Sequence, residues 1–487
     1  MKSEKENFNK SKYSYLIQNT ALLTLSSFGS KFLSFFLVPL YTNVLSTAEY
    51  GIADIITTSS TLLVYVLTLN IGASVLRFGI DKNEKPTRVF MYGAKIDIIA
   101  CIVLSGGIFL AYLLRVFNWK EYCYIFLWLV FVAETFETLV NQFLRAIDKV
   151  QVMAISSILG TILRLSSNIV FLLVFKWGIF GYLISLVIGP AVATVYAMIH
   201  IFPLKKDEIL PKYEKKLHRE MRKYAIPAMF GQLGWWINNS IDKYFVVWLQ
   251  GAAANGIYSI SYKLPSIMSM ICNVFGQAWG ISAIRDFDKN DKDNFFSNTY
   301  ELLNCVLVVC CSGLILLNVT ISKVLFAKDF FDAWEYAPVL IFAMLFSGLS
   351  SFWGGIFNAV KRNEVIAWTT VTAGIINCVF NALLIPVIGI MGAAIATLIS
   401  FYSMWILRYF AARRYIECRN NFVKHHIMYL LIMVQIFFDH QENHFYMVQL
   451  IILFAILIIN KKFIKRIIEK IQKKTKHQCT RGTNKIK

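Results

Sequence analysis

The chain is poor in charge. Only 16% of its 487 residues are Asp, Glu, Lys or Arg, where a soluble protein carries about a quarter. Its nine cysteines form no CxxC pair, and most stand in apolar stretches where Cys behaves as a small hydrophobe. Neither a disulfide framework nor a zinc site is expected. No GxxxxGK followed by Ser or Thr occurs, which excludes nucleotide hydrolysis through a phosphate-binding loop. No nucleophile is paired with a general base, so the chain reads as a non-enzyme without a cofactor. Asp439, His440, Glu442 and His444 fall in one short polar hairpin, the default composition of such a turn rather than a metal site.

Apolar residues make up 57% of the chain, with a mean hydropathy of +0.56. This excludes a disordered chain and an ordinary soluble enzyme. A helix crossing a hydrocarbon core of about 30 Å needs about 20 apolar residues. Such segments lie near 16–40, 52–76, 91–114, 122–143, 152–175, 178–201, 225–249, 256–281, 299–320, 337–359, 365–386, 389–410, 425–438 and 445–460. The expected fold class is an all-α polytopic membrane protein of about fourteen spans. The first fifteen residues are polar for too long to be a cleavable signal, so the first segment is expected to stay as a span. The connecting loops are too short for the acidic catalytic groups of a membrane-embedded glycosyltransferase.

The net charge of +20 would suggest nucleic acid in a soluble protein. Its placement argues otherwise. With the N-terminus inside, the tails and the loops after even-numbered spans hold 40 of the 49 Lys and Arg, with Lys95 and Arg408, near the cytoplasmic ends of their spans, counted among these flanks. The opposite loops hold five, and Lys31, Arg164, Lys243 and Lys263 stand within spans. The positive-inside rule then puts both termini in the cytoplasm. The basic tail from Lys461 suits an anionic lipid surface.

The two halves resemble each other. Ala48-Glu49-Tyr50-Gly51-Ile52 matches Ala253-Ala254-Asn255-Gly256-Ile257 at an offset of 205. Phe143-Leu144-Arg145-Ala146-Ile147 matches Ile356-Phe357-Asn358-Ala359-Val360, and Asn168 matches Asn381, both at 213. Gly178-Ile179-Phe180-Gly181 matches Gly389-Ile390-Met391-Gly392 at 211. The expected organisation is a six-helix bundle at 1–202 and a basic cytoplasmic loop at 203–224. A second six-helix bundle follows at 225–412, an extra helix pair at 413–460 and a basic cytoplasmic tail at 461–487. Repeat-built transporters bind substrate between their repeats and rock the halves around it.

Span seven carries Tyr224-Ala225-Ile226-Pro227 and Ile241-Asp242-Lys243-Tyr244-Phe245. Gly256-Ile257-Tyr258-Ser259 and Tyr262-Lys263-Leu264 follow, with Ala48-Glu49-Tyr50-Gly51, Arg77-Phe78 and Gly389-Ile390-x-Gly392-Ala393-Ala394 elsewhere. From about Tyr15 to Tyr415 the chain resembles the polysaccharide-biosynthesis flippases (Wzx type) of the multidrug/oligosaccharidyl-lipid/polysaccharide exporter superfamily. The resemblance implies translocation of undecaprenyl-pyrophosphate-linked repeat units across a bacterial inner membrane, for O-antigen or capsule. Implied partners are the lipid-linked oligosaccharide, membrane lipids, a polysaccharide polymerase and a chain-length regulator, with no nucleic acid. Family members often carry Arg where this chain has Lys243, and Lys cannot form the bidentate fork that Arg makes with phosphate. A multidrug or organic-cation antiporter of the same superfamily is one alternative, although it would want anionic walls. A peptidoglycan-precursor flippase is another, whose charge-rich first span is represented here by Lys31 alone.

Charges within spans cost about 2.5–3.5 kcal/mol each on insertion scales. Lys31, Arg164, Lys243 and Lys263, with Arg77 at the end of span two, are therefore candidate contacts for a pyrophosphate group. The competing reading pairs each with an internal carboxylate: Asp54, Asp97, Glu134, Glu137 or Asp242. Glu134 and Glu137 share a helix face and, with Asp242, are candidates for proton or sodium coupling. Gln232, Trp235, Trp236, Asn238 and Asn239 are candidate sugar contacts, against packing and interfacial roles.

Overall fold

The computed structural model describes residues 35–81, 83–114, 120–201, 214–441 and 445–461. Among these every regular element is helical: α1 (Val38–Val44), α2 (Thr47–Leu67), α3 (Ile71–Gly79), α4 (Pro86–Leu113), α5 (Glu121–Ala146), α6 (Val150–Ile169), α7 (Gly178–Ile201), α8 (Glu214–Gln250) and α9 (Ala252–Ser261). Then follow α10 (Pro265–Arg285), α11 (Phe295–Leu316), α12 (Asn318–Leu325), α13 (Ala333–Ala359), α14 (Asn363–Ile388), α15 (Ile390–Ala412), α16 (Phe422–Asp439) and α17 (Tyr446–Ile459). Eleven helical segments are long and apolar enough to cross a membrane, and α17 is a shorter apolar helix. Each expected span from 52–76 onward coincides with a helix or a broken helix. The first, 16–40, lies largely outside the described residues, and α1 is its end.

Local chemistry explains the boundaries. Ser46 and Glu49 form a reciprocal cap on α2, each side chain bonding the other's backbone N–H. Leu69 and Asn70 both take the left-handed conformation and break span two into α2 and α3. Span eight breaks at Tyr262–Leu264, just before Pro265, a residue suited to the first turn of a helix. The matched Gly-Ile-x-Gly motifs both open on a glycine of positive φ. It is +54° at Gly178 and +58° at Gly389. A Cβ at Gly181 would stand 2.7 Å from Phe171 and one at Gly392 2.5 Å from Leu384, so the second glycine lets each helix press on the end of the one before.

The helices gather into two compact units. The first holds the described residues up to Ser259 together with Leu325–Phe330, and the second holds Ile260–Val324 with the residues from Phe331. This grouping changes after Ser259; the bundles expected at 1–202 and 225–412, with the loop 203–224 between them, are a division set by the sequence repeat and stay an expectation. That loop is also shorter than expected: residues 203–213 lie outside the described set, while 214–224 form the opening turns of α8. These turns dock by one face, while Lys215, Lys216, Arg219, Glu220, Arg222 and Lys223 stay exposed. Met221 and Ala225 are fully buried in the cluster of Ile71, Val75, Val89 and Phe143. Ser74 donates to the Met221 carbonyl at 2.7 Å, and His218 stacks on Tyr92 at 3.7 Å. The basic tail beyond Lys461 lies outside the described residues.

The second unit is built on α13, most of which is buried. Trp279 of α10 fits against Gly355 and donates its indole N–H to the Phe352 carbonyl at 2.8 Å. The closing helix pair is fastened by polar bonds. Gln435 and Ser312 exchange bonds of 2.7 and 2.9 Å, Tyr429 donates to Asn304 at 2.7 Å, and His425 meets Glu301 at 2.8 Å. Asp439 is fully buried and accepts from Asn318 (2.8 Å) and Gln449 (3.0 Å), so it faces the helix pair rather than an exposed turn.

Candidate functional site

A polar cluster of the first unit forms where α2 crosses α9. The crossing is backbone on backbone. A Cβ on Gly51 would stand 1.9 Å from the Ala252 carbonyl oxygen, and one on Gly256 would stand 1.9 Å from that of Thr47. These glycines are the matched pair of the internal repeat, and their bareness is what lets the two helices touch. The close approach then brings polar side chains of both helices together. Asn255 donates to the Gly51 carbonyl at 3.0 Å and reaches Asp54 at 3.4 Å, while Ser259 donates to Asp54 at 2.7 Å.

Helix α8 completes the cluster. Lys243 Nζ pairs with Asp54 Oδ1 at 2.9 Å, and both side chains are only 16% exposed. Asp242 is 1% exposed and accepts both the Tyr258 hydroxyl and the Lys243 backbone N–H. One turn along, Tyr244 and Ser59 share a hydroxyl bond of 2.6 Å, and Trp236 donates to the Thr58 carbonyl. Asp54 thus ties three helices, and among the described residues its charge is paired with one cation, Lys243.

A second polar site lies deeper in the first unit, on α2, α5 and α6. Ser60 donates to Glu134 at 2.7 Å. Arg164 stands within electrostatic reach of Glu134 and Glu137 but closes no ion pair with either, and its Nε is buried without a partner. The expected Arg164–carboxylate pair is therefore not formed. Two carboxyls and one guanidinium thus share the interior of the first unit. Asp97, 2% exposed on α4, leaves one buried oxygen without a donor.

The remaining candidates separate. Lys31 lies outside the described residues. Arg77 is exposed at the end of α3, and Lys263 is half-buried in the turn between α9 and α10. Gln232 and Trp235 are exposed, whereas Trp236 is 4% exposed and packs on Tyr244. Asn238 and Asn239 donate to the carbonyls of Gly234 and Trp235 one turn back, so backbone acceptors satisfy these amides. Lys243 is held by Asp54, and to meet an anion it must exchange that partner.

Two groups escaped the sequence reading. Asn255 and Ser259 sit inside the quoted motifs, yet nothing in their type marked them as partners of Asp54. Arg408 was counted with the cytoplasmic flanks, but it is 6% exposed on α15. Its guanidinium donates to Thr369, Thr370 and the carbonyls of Ser350 and Ile366, with no carboxylate among these partners. The signal was its position between Trp405 and Tyr409 in an apolar run.

A family model described as "Polysaccharide biosynthesis protein" matches residues 16–279. An uncharacterized membrane protein of Methanocaldococcus jannaschii is 23% identical over 242 residues, which span about half of either chain (49% and 47%). Among solved structures, the lipid II flippase MurJ in an inward closed conformation superposes with a TM-score of 0.68 at 14% identity, covering 92% of this chain and all of that one. An inward-facing multidrug-resistance MATE transporter of the MOP superfamily gives 0.60 at 11% identity, covering 79% and 97%. A MOP-superfamily transporter of Pyrococcus furiosus gives 0.59 at 11%, covering 81% and 95%. At these identities the likeness is one of fold.

Proposed function

This chain belongs to the polysaccharide biosynthesis protein family, and from that premise we propose that it flips undecaprenyl-pyrophosphate-linked oligosaccharide repeat units between the leaflets of a bacterial inner membrane. The direction is outward, from the cytoplasmic leaflet, with both termini cytoplasmic, and the product feeds a surface polysaccharide such as O-antigen or capsule. The observation that carries the reading is the extent of the family match. Residues 16–279 include all of α2 to α9, and so both polar sites of the first unit.

The chemistry supports the reading. A diphosphate cannot cross hydrocarbon bare, because burying an isolated ion in a low-dielectric medium costs tens of kcal/mol. It needs a hydrated route with cations that are not permanently neutralised. Arg164 is such a cation, and Lys243 becomes one when Asp54 turns to the hydroxyl and amide of Ser259 and Asn255, which already bond it. The Asp54–Lys243 pair then acts as a latch on α2, α8 and α9 that an arriving diphosphate opens by competing for the ammonium. Glu134 and Glu137 bind the proton or sodium ion that resets the empty carrier, by alternating access of the two repeat bundles. Trp235 and Gln232, exposed on α8, are the sugar contacts that remain available.

The test is complementation. In a strain lacking its own flippase, lipid-linked repeat units accumulate on the cytoplasmic face. Expression of this chain should restore surface polymer, and Arg164→Ala at equal abundance should not. Failure of the wild-type chain, with energised efflux of organic cations in its place, would turn the assignment to a multidrug antiporter.

A further inference from the structure

Beside the latch, on the same turns of α2 and α8, the first unit holds a cavity of about 700 Å³. Its walls come from α2, α4, α5 and α8, represented by Ser59, Leu63, Gly107, Ala111, Tyr244 and Trp248. Apart from hydroxyls and one indole N–H, the lining side chains are hydrocarbon. Trp248 is 80% exposed, and Gly107 has nothing within 4 Å of where a Cβ would stand, so the cavity has an open wall. On α2 the lining residue Ile55 directly follows Asp54, and on α8 the lining residue Tyr244 directly follows Lys243. An ion pair and an apolar cavity therefore lie one residue apart on two helices at once.

We propose that this cavity holds the first isoprene units of a polyprenyl diphosphate while its headgroup engages Lys243. The inference rests on the flippase reading above and adds a place for the chain. The occupant follows from the juxtaposition. A free sugar phosphate has no use for the apolar wall, and the flippase reading above makes the headgroup an anion, which meets Lys243 rather than Asp54. A ligand with a diphosphate at one end and branched hydrocarbon at the other satisfies both. The volume falls in the roughly 300–1,000 Å³ range of small-molecule sites. It takes the start of such a chain and leaves the rest in the bilayer.

The test uses the full-length protein in phosphatidylcholine–phosphatidylglycerol nanodiscs, with a photocrosslinking phenylalanine analogue at Ala111 or, as control, at Ile102, which is 66% exposed on α4. Undecaprenyl diphosphate is added as a minor component. Adducts at Ala111 should be enriched in the polyprenyl lipid by about tenfold over Ile102, a step of about 1.4 kcal/mol. The enrichment should disappear in Gly107→Trp, whose side chain enters the open wall without a backbone clash. Equal adduct composition at the two positions would overturn the proposal, since the cavity would then hold ordinary bilayer lipid. Failures remain distinguishable. Enrichment without any translocation of lipid-linked sugar sinks the flippase reading and leaves the site standing. Translocation unaffected by Gly107→Trp, without enrichment, sinks the site alone.

Discussion

Replacing Asp54 removes the one carboxylate that faces Lys243 at 2.9 Å and the acceptor for Ser259 and Asn255. Breaking a buried ion pair by deleting one partner costs about 3–5 kcal/mol, chiefly because the other charge is left stranded. Both side chains keep 16% exposure, so water screens part of this and the lower end applies. Each orphaned hydrogen bond adds about 0.5–1.5 kcal/mol. Asp54→Ala should therefore lose about 4–6 kcal/mol of resistance to unfolding. Lys243→Met should lose less, because Asp54 keeps its hydroxyl and amide donors. The double variant should be less damaged than the sum, with a coupling of about 1–3 kcal/mol. Denaturation of the purified protein in one detergent, followed by tryptophan fluorescence, measures all three. Additive single effects, with a coupling under about 0.5 kcal/mol, would show that the pair is not an energetic unit. The latch would then have to be abandoned.

The glycine crossing is more brittle: Gly51→Ala or Gly256→Ala should abolish stable insertion, while Gly106→Ala, with nothing within 4 Å, should match wild type in membrane abundance. Reporters fused after Asn83 or Asn363 should read cytoplasm and those after Gly251 or Asp332 the outside; inversion of any one overturns the orientation. Glutamine at both Glu134 and Glu137 should slow turnover more than it weakens substrate binding, read as a fall in maximal rate at near-constant half-saturation. A negative-inside potential should drive a doubly charged headgroup outward with about 4–5 kcal/mol per 100 mV. A potassium diffusion potential alone should therefore support net flipping, and an absolute need for a proton or sodium gradient would refute that.

The helices at spans two to fourteen were legible because long apolar runs are local in the chain, although α8 and α17 are not among the eleven segments long and apolar enough to cross a membrane. The compact division was not, because it depends on how Met221 and Ala225 pack on α3 and α4, which periodicity does not report. The Gly-Ile-x-Gly repeats were visible as letters, and their shared left-handed φ supplies the reason. Lys243 was legible as a cation within a span that needed a partner. Its choice of Asp54 over the adjacent Asp242 was not, since the crossing at Gly51 and Gly256 decides which carboxylate it reaches. Asn238 and Asn239 looked costly only because their backbone acceptors cannot be read from composition. Arg408 was misplaced for the opposite reason: a flank and a buried site differ by a single helical turn.

The most direct measurement is translocation itself. Purified protein is reconstituted with a polyprenyl-diphosphate-linked oligosaccharide, and a membrane-impermeant reagent reports the sugar exposed on the outer face. The wild-type chain should let the protected half become accessible within minutes, and Arg164→Ala should slow this at least about tenfold, one 1.4 kcal/mol step in barrier. Protection that persists in wild-type proteoliposomes as in protein-free ones, under a potential and under ion gradients alike, would contradict the account.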